Sequence, residues 1–272
     1  MKSYHVLGAT MKKVKILNLE FDNLSKREFL ENLQSGVVFT PNVDHLIKLE
    51  KDPEFLQAYS ISDYNLCDSK ILIYASRFLG TPIKEKISGS DIFPAFYNYH
   101  KKNEEIKIFL LGAGKGVALT AQNKINQKIG RNMVIATYSP PFRFEHDVEQ
   151  CQNIIDMINN SGATVLVIGV GAPKQEKWIY KYKDSLPFIK IFMALGATID
   201  FEADNVKRAP KWMSEVGLEW LFRLLREPKR LWKRYLVDDV VFFLLLFRQK
   251  FNLFRKKDRK DDSRIWEIVD RL

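Results

Sequence analysis

The sequence predicts an α/β fold: a Rossmann-like, mostly parallel sheet with flanking helices, followed by a C-terminal helical, membrane-binding appendage. Three observations carry that expectation. Short β-branched apolar runs alternate with helical patterns, which is the signature of βαβ units. Several of those runs end in glycine-containing loops, as strands do at the ligand-binding edge of an open sheet. The charge is also uneven: residues 1–204 hold 25 Lys and Arg against 23 Asp and Glu, whereas residues 205–272 hold 18 against 10. The formal charge of +10 therefore belongs mainly to the last quarter of the chain, and an anionic partner is expected there.

In order along the chain, residues 14–19 and 37–40 read as strands, with a helix at 25–33 between them. Residues 42–59 and 71–79 read as helical. Buried-strand candidates follow at 106–111, 134–138, 164–168 and 189–195, separated by helical patterns at 117–129, 148–159 and 175–183. This divides the chain into a core at 1–204, with lobes at about 11–100 and 101–204, and a basic amphipathic appendage at 205–272. From Pro210 onward the pattern is helical. On a continuous helix Arg223, Arg226, Arg230, Lys233 and Arg234 share one arc, while Trp220, Leu221, Leu224, Leu225, Leu231, Trp232 and Tyr235 lie opposite. Pro228 is placed to restart the helix. A helical hairpin packed on the core with a solvated basic face is the plainer alternative. The Phe and Leu run at 242–247, followed by Arg248, Lys250 and Arg255-Lys256-Lys257, favours an anionic membrane surface.

Composition excludes several classes. With 46% hydrophobic and 28% charged residues, wholesale disorder is not expected. Cys67 and Cys151 are too few for a disulfide framework and suit a reducing compartment; Cys67 reads as a core residue sooner than as a nucleophile. No apolar segment of signal-peptide type follows Met1 or Met11, and Met11 is an alternative start. The longest apolar run, 240–247, falls short of the roughly 20 residues of a spanning helix.

Chemistry concentrates at two places. Three predicted strands open into glycine loops: Gly112-Ala-Gly114-Lys-Gly116, Gly169-Val-Gly171-Ala-Pro-Lys174-Gln175-Glu176 and Gly196-Ala-Thr198. Each alone reads as a tight turn. Three in one sheet, one carrying Lys174 and Gln175, point to a nucleotide held by helix N-termini. The third glycine of a dinucleotide fingerprint is missing, and so is the Gly-Lys-Ser/Thr of a P-loop. The second place is Thr40-Pro-Asn42-Val-Asp44-His45 with Asp68-Ser69. Thr40 and Asn42 put a hydroxyl and a carboxamide at a strand tip. Asp68, between apolar flanks, suits a general base of raised pKa as well as it suits a helix N-cap. The four histidines have no metal-ligand spacing, so any departing diphosphate must be neutralised by helix N-termini and by Lys and Arg. The acidic residues Asp200, Glu202 and Asp204 read as solvated or paired with Lys207 and Arg208.

Seven short motifs, in order, resemble the WecG/TagA/CpsF family of bacterial glycosyltransferases: Thr40-Pro-Asn42, Asp68 through Arg77, Gly89-Ser-Asp91, Leu111-Gly-Ala-Gly114, Tyr138-Ser-Pro-Pro141, Gly171-Ala-Pro-Lys-Gln-Glu176, and Arg208-Ala-Pro-Lys-Trp212 with Gly217-Leu-Glu-Trp220. The resemblance implies inverting transfer of N-acetylmannosamine or a related hexose from a UDP donor to an undecaprenyl-diphosphate-linked sugar. It implies no metal and no cofactor. The work would be done at the inner face of the cell membrane, by a cytoplasmic, peripheral enzyme feeding cell-wall or surface polysaccharide synthesis. It further implies Asp68 as the base, with Thr40 and Asn42 positioning the reacting sugars. Gly112, Gly114, Gly171, Lys174 and Gln175 would hold the donor, Arg77 would bind substrate, and Arg208, Arg223, Arg226 and Arg230 would approach the lipid diphosphate or the leaving UDP. Three positions depart from the family pattern. Ser69 and Ile71 replace glycines after Asp68, Lys86 stands where arginine is frequent, and Asp204 stands where glycine is frequent. A homo-oligomer is left open. The competing reading is a nucleotide- or nucleic-acid-binding module with a basic tail; cations interleaved with Leu, Trp and Phe speak against nucleic acid.

Overall fold

A computed structural model describes residues 12–233 and 239–251. The predicted cations Arg234 and Arg255-Lys256-Lys257, the possible start at Met11 and Tyr235 lie outside the described residues. A six-stranded parallel sheet forms the centre, in the order β4 (Tyr64–Asn65), β3 (Gly36–Phe39), β8 (Ile191–Ala194), β7 (Val165–Gly169), β5 (Ile108–Gly112), β6 (Val134–Tyr138). Strands of both sequence halves thus share one sheet, joined where Val38 pairs with Met193.

Both faces of the sheet are covered, which is why its strands are continuous apolar runs with no polar alternation. Successive side chains point to opposite sides. Val37, Phe39, Phe109, Leu111, Leu166, Ile168, Phe192 and Ala194 face one core. That core is completed by α2 (Val43–Lys51), α3 (Pro53–Ala58), α4 (Lys70–Leu79), α7 (Val148–Ser161) and α8 (Lys174–Tyr182). Val38, Ile108, Leu110, Val165, Val167, Ile191 and Met193 face the other core. Here α1 (Lys26–Asn32), α5 (Gly89–Tyr99), α6 (Val117–Ile129) and α9 (Thr198–Glu202) pack.

Several predicted elements change shape. The strand expected at 14–19 is an antiparallel hairpin, β1 (Lys13–Ile16) and β2 (Leu19–Asp22), turning at Leu17 with φ of 52°. The long helix expected at 42–59 breaks at Asp52, whose carboxylate accepts the Phe55 N–H at 3.0 Å, with Pro53 opening the next helix. Helix α5 escaped the sequence reading because Pro94 sits inside it; its first turn rests on the sheet edge, where a Cβ on Gly89 would stand 2.9 Å from the Leu195 carbonyl.

Among the described residues beyond Pro210 the chain is mainly helical, as expected: α10 (Lys211–Val216), α11 (Glu219–Arg226), α12 (Pro228–Lys233) and α13 (Asp239–Lys250). Gly217, with φ of 84°, ends α10, and α11 starts directly after it. The apolar run in α13 divides between two environments. Val241, Phe242, Leu245 and Leu246 are buried in the core of the first face, while Phe243, Leu244 and Phe247 are exposed. Gln249 clips this helix to the hairpin, accepting from Leu17 N at 2.8 Å and donating to Lys15 O at 3.2 Å. Among the described residues no helix is long and apolar enough to cross a membrane.

Candidate active site

Ligand sites in open parallel sheets lie where neighbouring connections diverge. The chain leaves β5 toward β6 on one side and leaves β7 toward β8 on the other. At that point lies a cleft of about 330 Å³, lined by Ala113, Gly169 to Gly171, Lys174, Gly196, Ala197, Asp200 and the 140–145 loop. Two glycines make its floor possible. A Cβ on Gly112 would stand 2.5 Å from the Gly169 carbonyl oxygen, and one on Gly169 would stand 2.6 Å from that of Gly196. Gly112 therefore serves loop-to-loop contact, whereas Gly171 has open space around it. Ser139 Oγ ties down the first loop by donating to Gly112 O and Gly114 O at 3.2 and 3.0 Å.

Lys174 and Gln175 open α8 beneath this cleft. Lys174 Nζ lies 3.1 Å from Glu145 and 4.8 Å from the centre of the Phe142 ring. Gln175 is 2% exposed; its Oε1 accepts from both Gly171 N and Gly196 N at 3.2 Å, so the amide holds two loops together. Phe142, Arg143 and Glu145 were not singled out from sequence. Phe142 is 86% exposed at the cleft wall, and a bare aromatic after Ser-Pro-Pro141 was the available signal.

The second site begins where β4 ends. Leu66 N donates to Phe39 O and Asp68 N to Pro41 O, at 2.9 and 3.0 Å. This extended pairing lays Asp68 beside the Thr40 to Asn42 segment. Ser69, not Asp68, caps α4, its hydroxyl accepting from Ile71 N at 3.1 Å. Ser69 thus supplies the cap, and Asp68 takes no part in it. Burial raises the Asp68 carboxyl to about 7, against the opposing pull of Lys86; Glu219 raises it further and Arg223 lowers it. Asp68 retains partial access to solvent. Thr40 Oγ1 donates to Ala194 O at 3.4 Å, joining this corner to the end of β8, two residues before Gly196 of the cleft. Asn42 caps α2 by accepting from His45 N at 3.3 Å. Neighbouring Cys67 is buried, and burial pushes its thiol up to about 12, which leaves it inert as a nucleophile at neutral pH.

Lys86 and Arg223 act on the Asp68 charge, and Arg208 joins the same group through Asp91. Lys86 stands 3.7 Å from both Asp91 and Glu219. Arg208 pairs with Asp91 at 3.3 Å and donates to Ser90 O; Arg223 pairs with Glu219 at 3.1 Å. The Arg208 and Arg223 guanidinium groups lie 5.4 and 5.7 Å from the Phe201 ring centre. Helix α11 of the appendage is therefore part of the electrostatic surroundings of Asp68.

The other predicted cations fall elsewhere. Arg226 stacks on Phe222 at 4.9 Å. Arg230 lies in α12, and its side chain is outside the described ones. Arg77 is exposed near the opposite end of α4 from Asp68. The acidic residues also pair differently than expected: Asp204 bonds Lys124 at 2.6 Å, Glu202 accepts from Tyr97 at 2.9 Å and Asp200 from Asn205 at 2.9 Å. Asp204 has φ of 56°, a left-handed conformation in which glycine is the easier residue, and the Lys124 bond fixes the aspartate there.

Fold and cleft together define an α/β protein whose candidate site lies at the carboxyl ends of a parallel sheet. More particularly, the chain belongs to the glycosyl transferase WecG/TagA/CpsF family, whose model matches residues 14–256. It is 28% identical over 245 residues to the N-acetylglucosaminyldiphosphoundecaprenol N-acetyl-beta-D-mannosaminyltransferase of Bacillus subtilis (strain 168), covering 90% of this chain and 92% of that protein. It is 27% identical over 208 residues to the protein of the same name from Bacillus spizizenii (strain ATCC 23059 / NRRL B-14472 / W23), covering 76% and 77%. The expectation of a WecG/TagA/CpsF glycosyltransferase therefore holds.

Proposed function

We propose that this enzyme transfers N-acetylmannosamine, or a related hexose, from a UDP donor to a sugar carried on undecaprenyl diphosphate, with inversion and without a metal. The donor nucleotide occupies the cleft beneath the three glycine loops, and the acceptor hydroxyl meets Asp68. Asp68 takes the hydroxyl proton as the acceptor oxygen attacks the anomeric carbon. The bond to the UDP oxygen breaks on the opposite face, and UDP leaves with the electron pair. A base with a carboxyl near 7 is poised for this task at neutral pH, being ionised often enough to accept a proton and basic enough to draw it.

The observation that carries this reading is that Asp68 does not cap α4 and lies in the field of Lys86 and Arg223, with Arg208 joined to the same group through Asp91. Those three cations suit a diphosphate that must be balanced by side chains. All three are engaged by Asp91 or Glu219, so a bound diphosphate would exchange carboxylate partners for phosphate ones. Exposed Trp212, Trp232, Phe243, Leu244 and Phe247, with Lys250 and Arg226 nearby in sequence, support docking on an anionic membrane surface. The relatives' names motivate the decisive assay: UDP-N-acetylmannosamine with undecaprenyl-diphosphate-linked N-acetylglucosamine. UDP release that depends on acceptor is expected; no release across a panel of UDP-sugars sinks the proposal.

A further inference from the structure

Behind the cleft, between α2, the helical turn at Tyr59–Ile61 and α8, lies a buried polar group that the transfer step does not use. Glu176 is 0% exposed. Its Oε1 accepts from Gln175 Nε2 at 2.8 Å, and its Oε2 has no hydrogen-bond partner. Asp44, His45 and Lys48 from α2 and Tyr59 from the turn complete the group. His45 Nδ1 and Tyr59 Oη are 2.7 Å apart, and Lys48 Nζ bonds Asp44 Oδ2 at 2.8 Å and Ala172 O at 3.4 Å.

The geometry fixes which way Gln175 faces. An amide presents an acceptor on one side and donors on the other. With Nε2 given to the Glu176 carboxyl, Oε1 must face the N–H groups of Gly171 and Gly196. Were the amide reversed, NH2 would confront two N–H donors and the amide oxygen would confront a carboxyl oxygen. Lys48 grips the same loop one residue further on, at Ala172. We infer that Glu176 is a positioning residue for the donor subsite: it orients the Gln175 amide, and through it sets the Gly171 and Gly196 loops that line the nucleotide cleft. This rests on the proposal that a uridine diphosphate group binds there.

The test compares Glu176→Gln with Glu176→Leu in the full-length protein. UDP affinity is read by calorimetry, and donor KM and kcat by the transfer assay. Burial raises the Glu176 carboxyl to about 7, so a neutral amide that keeps the acceptor is a close replacement. Glu176→Gln is expected to retain wild-type UDP affinity and donor KM. Glu176→Leu strands the Gln175 NH2 in the interior. It is expected to weaken UDP binding and raise donor KM by about tenfold, the scale of one buried polar group left unpaired, with kcat within about twofold. If Glu176→Leu does not fold, Gln175→Met carries the test, because it removes the acceptor of both loop amides and should weaken UDP binding comparably. A folded Glu176→Leu, or failing that Gln175→Met, with wild-type UDP affinity overturns the inference. So does a Glu176→Gln variant as impaired as Glu176→Leu. A wild-type enzyme that binds no UDP would instead sink the functional reading beneath it.

Discussion

Asp68 and Glu176 are two carboxyls raised to about 7, in both cases chiefly by burial, yet they stand in opposite situations. Asp68 keeps partial contact with solvent, and its surroundings include Lys86 and Arg223, which respond to its charge. Glu176 is sealed, bonded to a neutral amide, and faces a lysine already paired with Asp44. A raised pKa alone does not distinguish a catalytic base from a structural acid. Access to a reacting proton, and partners that can exchange, do. On the reading proposed above, burial serves reactivity in one place and loop geometry in the other.

The sharpest way to break this contrast is to neutralise each carboxyl in turn. Asp68→Asn should lower kcat by at least about a hundredfold, the scale of losing a general base, while UDP affinity stays at the wild-type value. Calorimetry beside the transfer assay checks both, and a turnover near wild type would return Asp68 to a structural role. The same isosteric change at Glu176 should leave turnover intact.

Lys86 offers the next largest effect. Burial raises the Asp68 carboxyl and Lys86 holds it down, so Lys86→Met should raise it further. A smaller fraction of Asp68 is then ionised at pH 7. Activity there should fall by about fivefold for one unit of displacement from a carboxyl that is half-ionised at pH 7, and recover in part at pH 8.5. A loss that is equal at both pH values would assign Lys86 to substrate binding alone.

The smallest effect is on stability. The Glu176 carboxyl titrates at about 7 in the folded protein, against 4.5 for an unperturbed glutamate. The folded state therefore holds the proton more tightly. The resulting stabilisation is complete below about pH 4.5 and is lost as pH rises through 7, by up to about 3 kcal/mol at about 1.4 kcal/mol per unit. Glu176→Gln does not titrate, so its melting temperature should gain on wild type by several degrees between pH 5 and pH 8. A difference that does not change with pH would mean that Glu176 is ionised throughout.

The two regions also differ in how far the sequence disclosed them. Strand β6 and helix α6 appear at the predicted residues, because apolar runs bounded by polar or glycine residues leave little choice of period. The hairpin at 13–22 was hidden because its turn, Leu17-Asn18, falls within a mostly apolar run that reads as one strand. Asp68 was identifiable as a carboxylate between apolar flanks, but that it does not cap α4 is visible only in the Ser69 hydroxyl bonded to Ile71 N. Gln175 read as a nucleotide ligand, and its bonds to Gly171 and Gly196 show a loop clamp; which way an amide faces is set by neighbours distant in sequence. The grouping of Lys86, Arg208 and Arg223 joins segments more than a hundred residues apart, and no local pattern announces it. Charge counting located the basic quarter but not the division within it, where α11 approaches Asp68 and α13 returns to the core.

The central claim, that Asp68 is the base, is tested most directly by the pH dependence of kcat/KM for sugar transfer by the wild-type enzyme. A raised carboxyl acting as base predicts a rate that climbs from pH 5.5 and levels above an apparent pKa of about 7. A profile that is flat from pH 5.5 to about 8.5, with transfer intact, would contradict it.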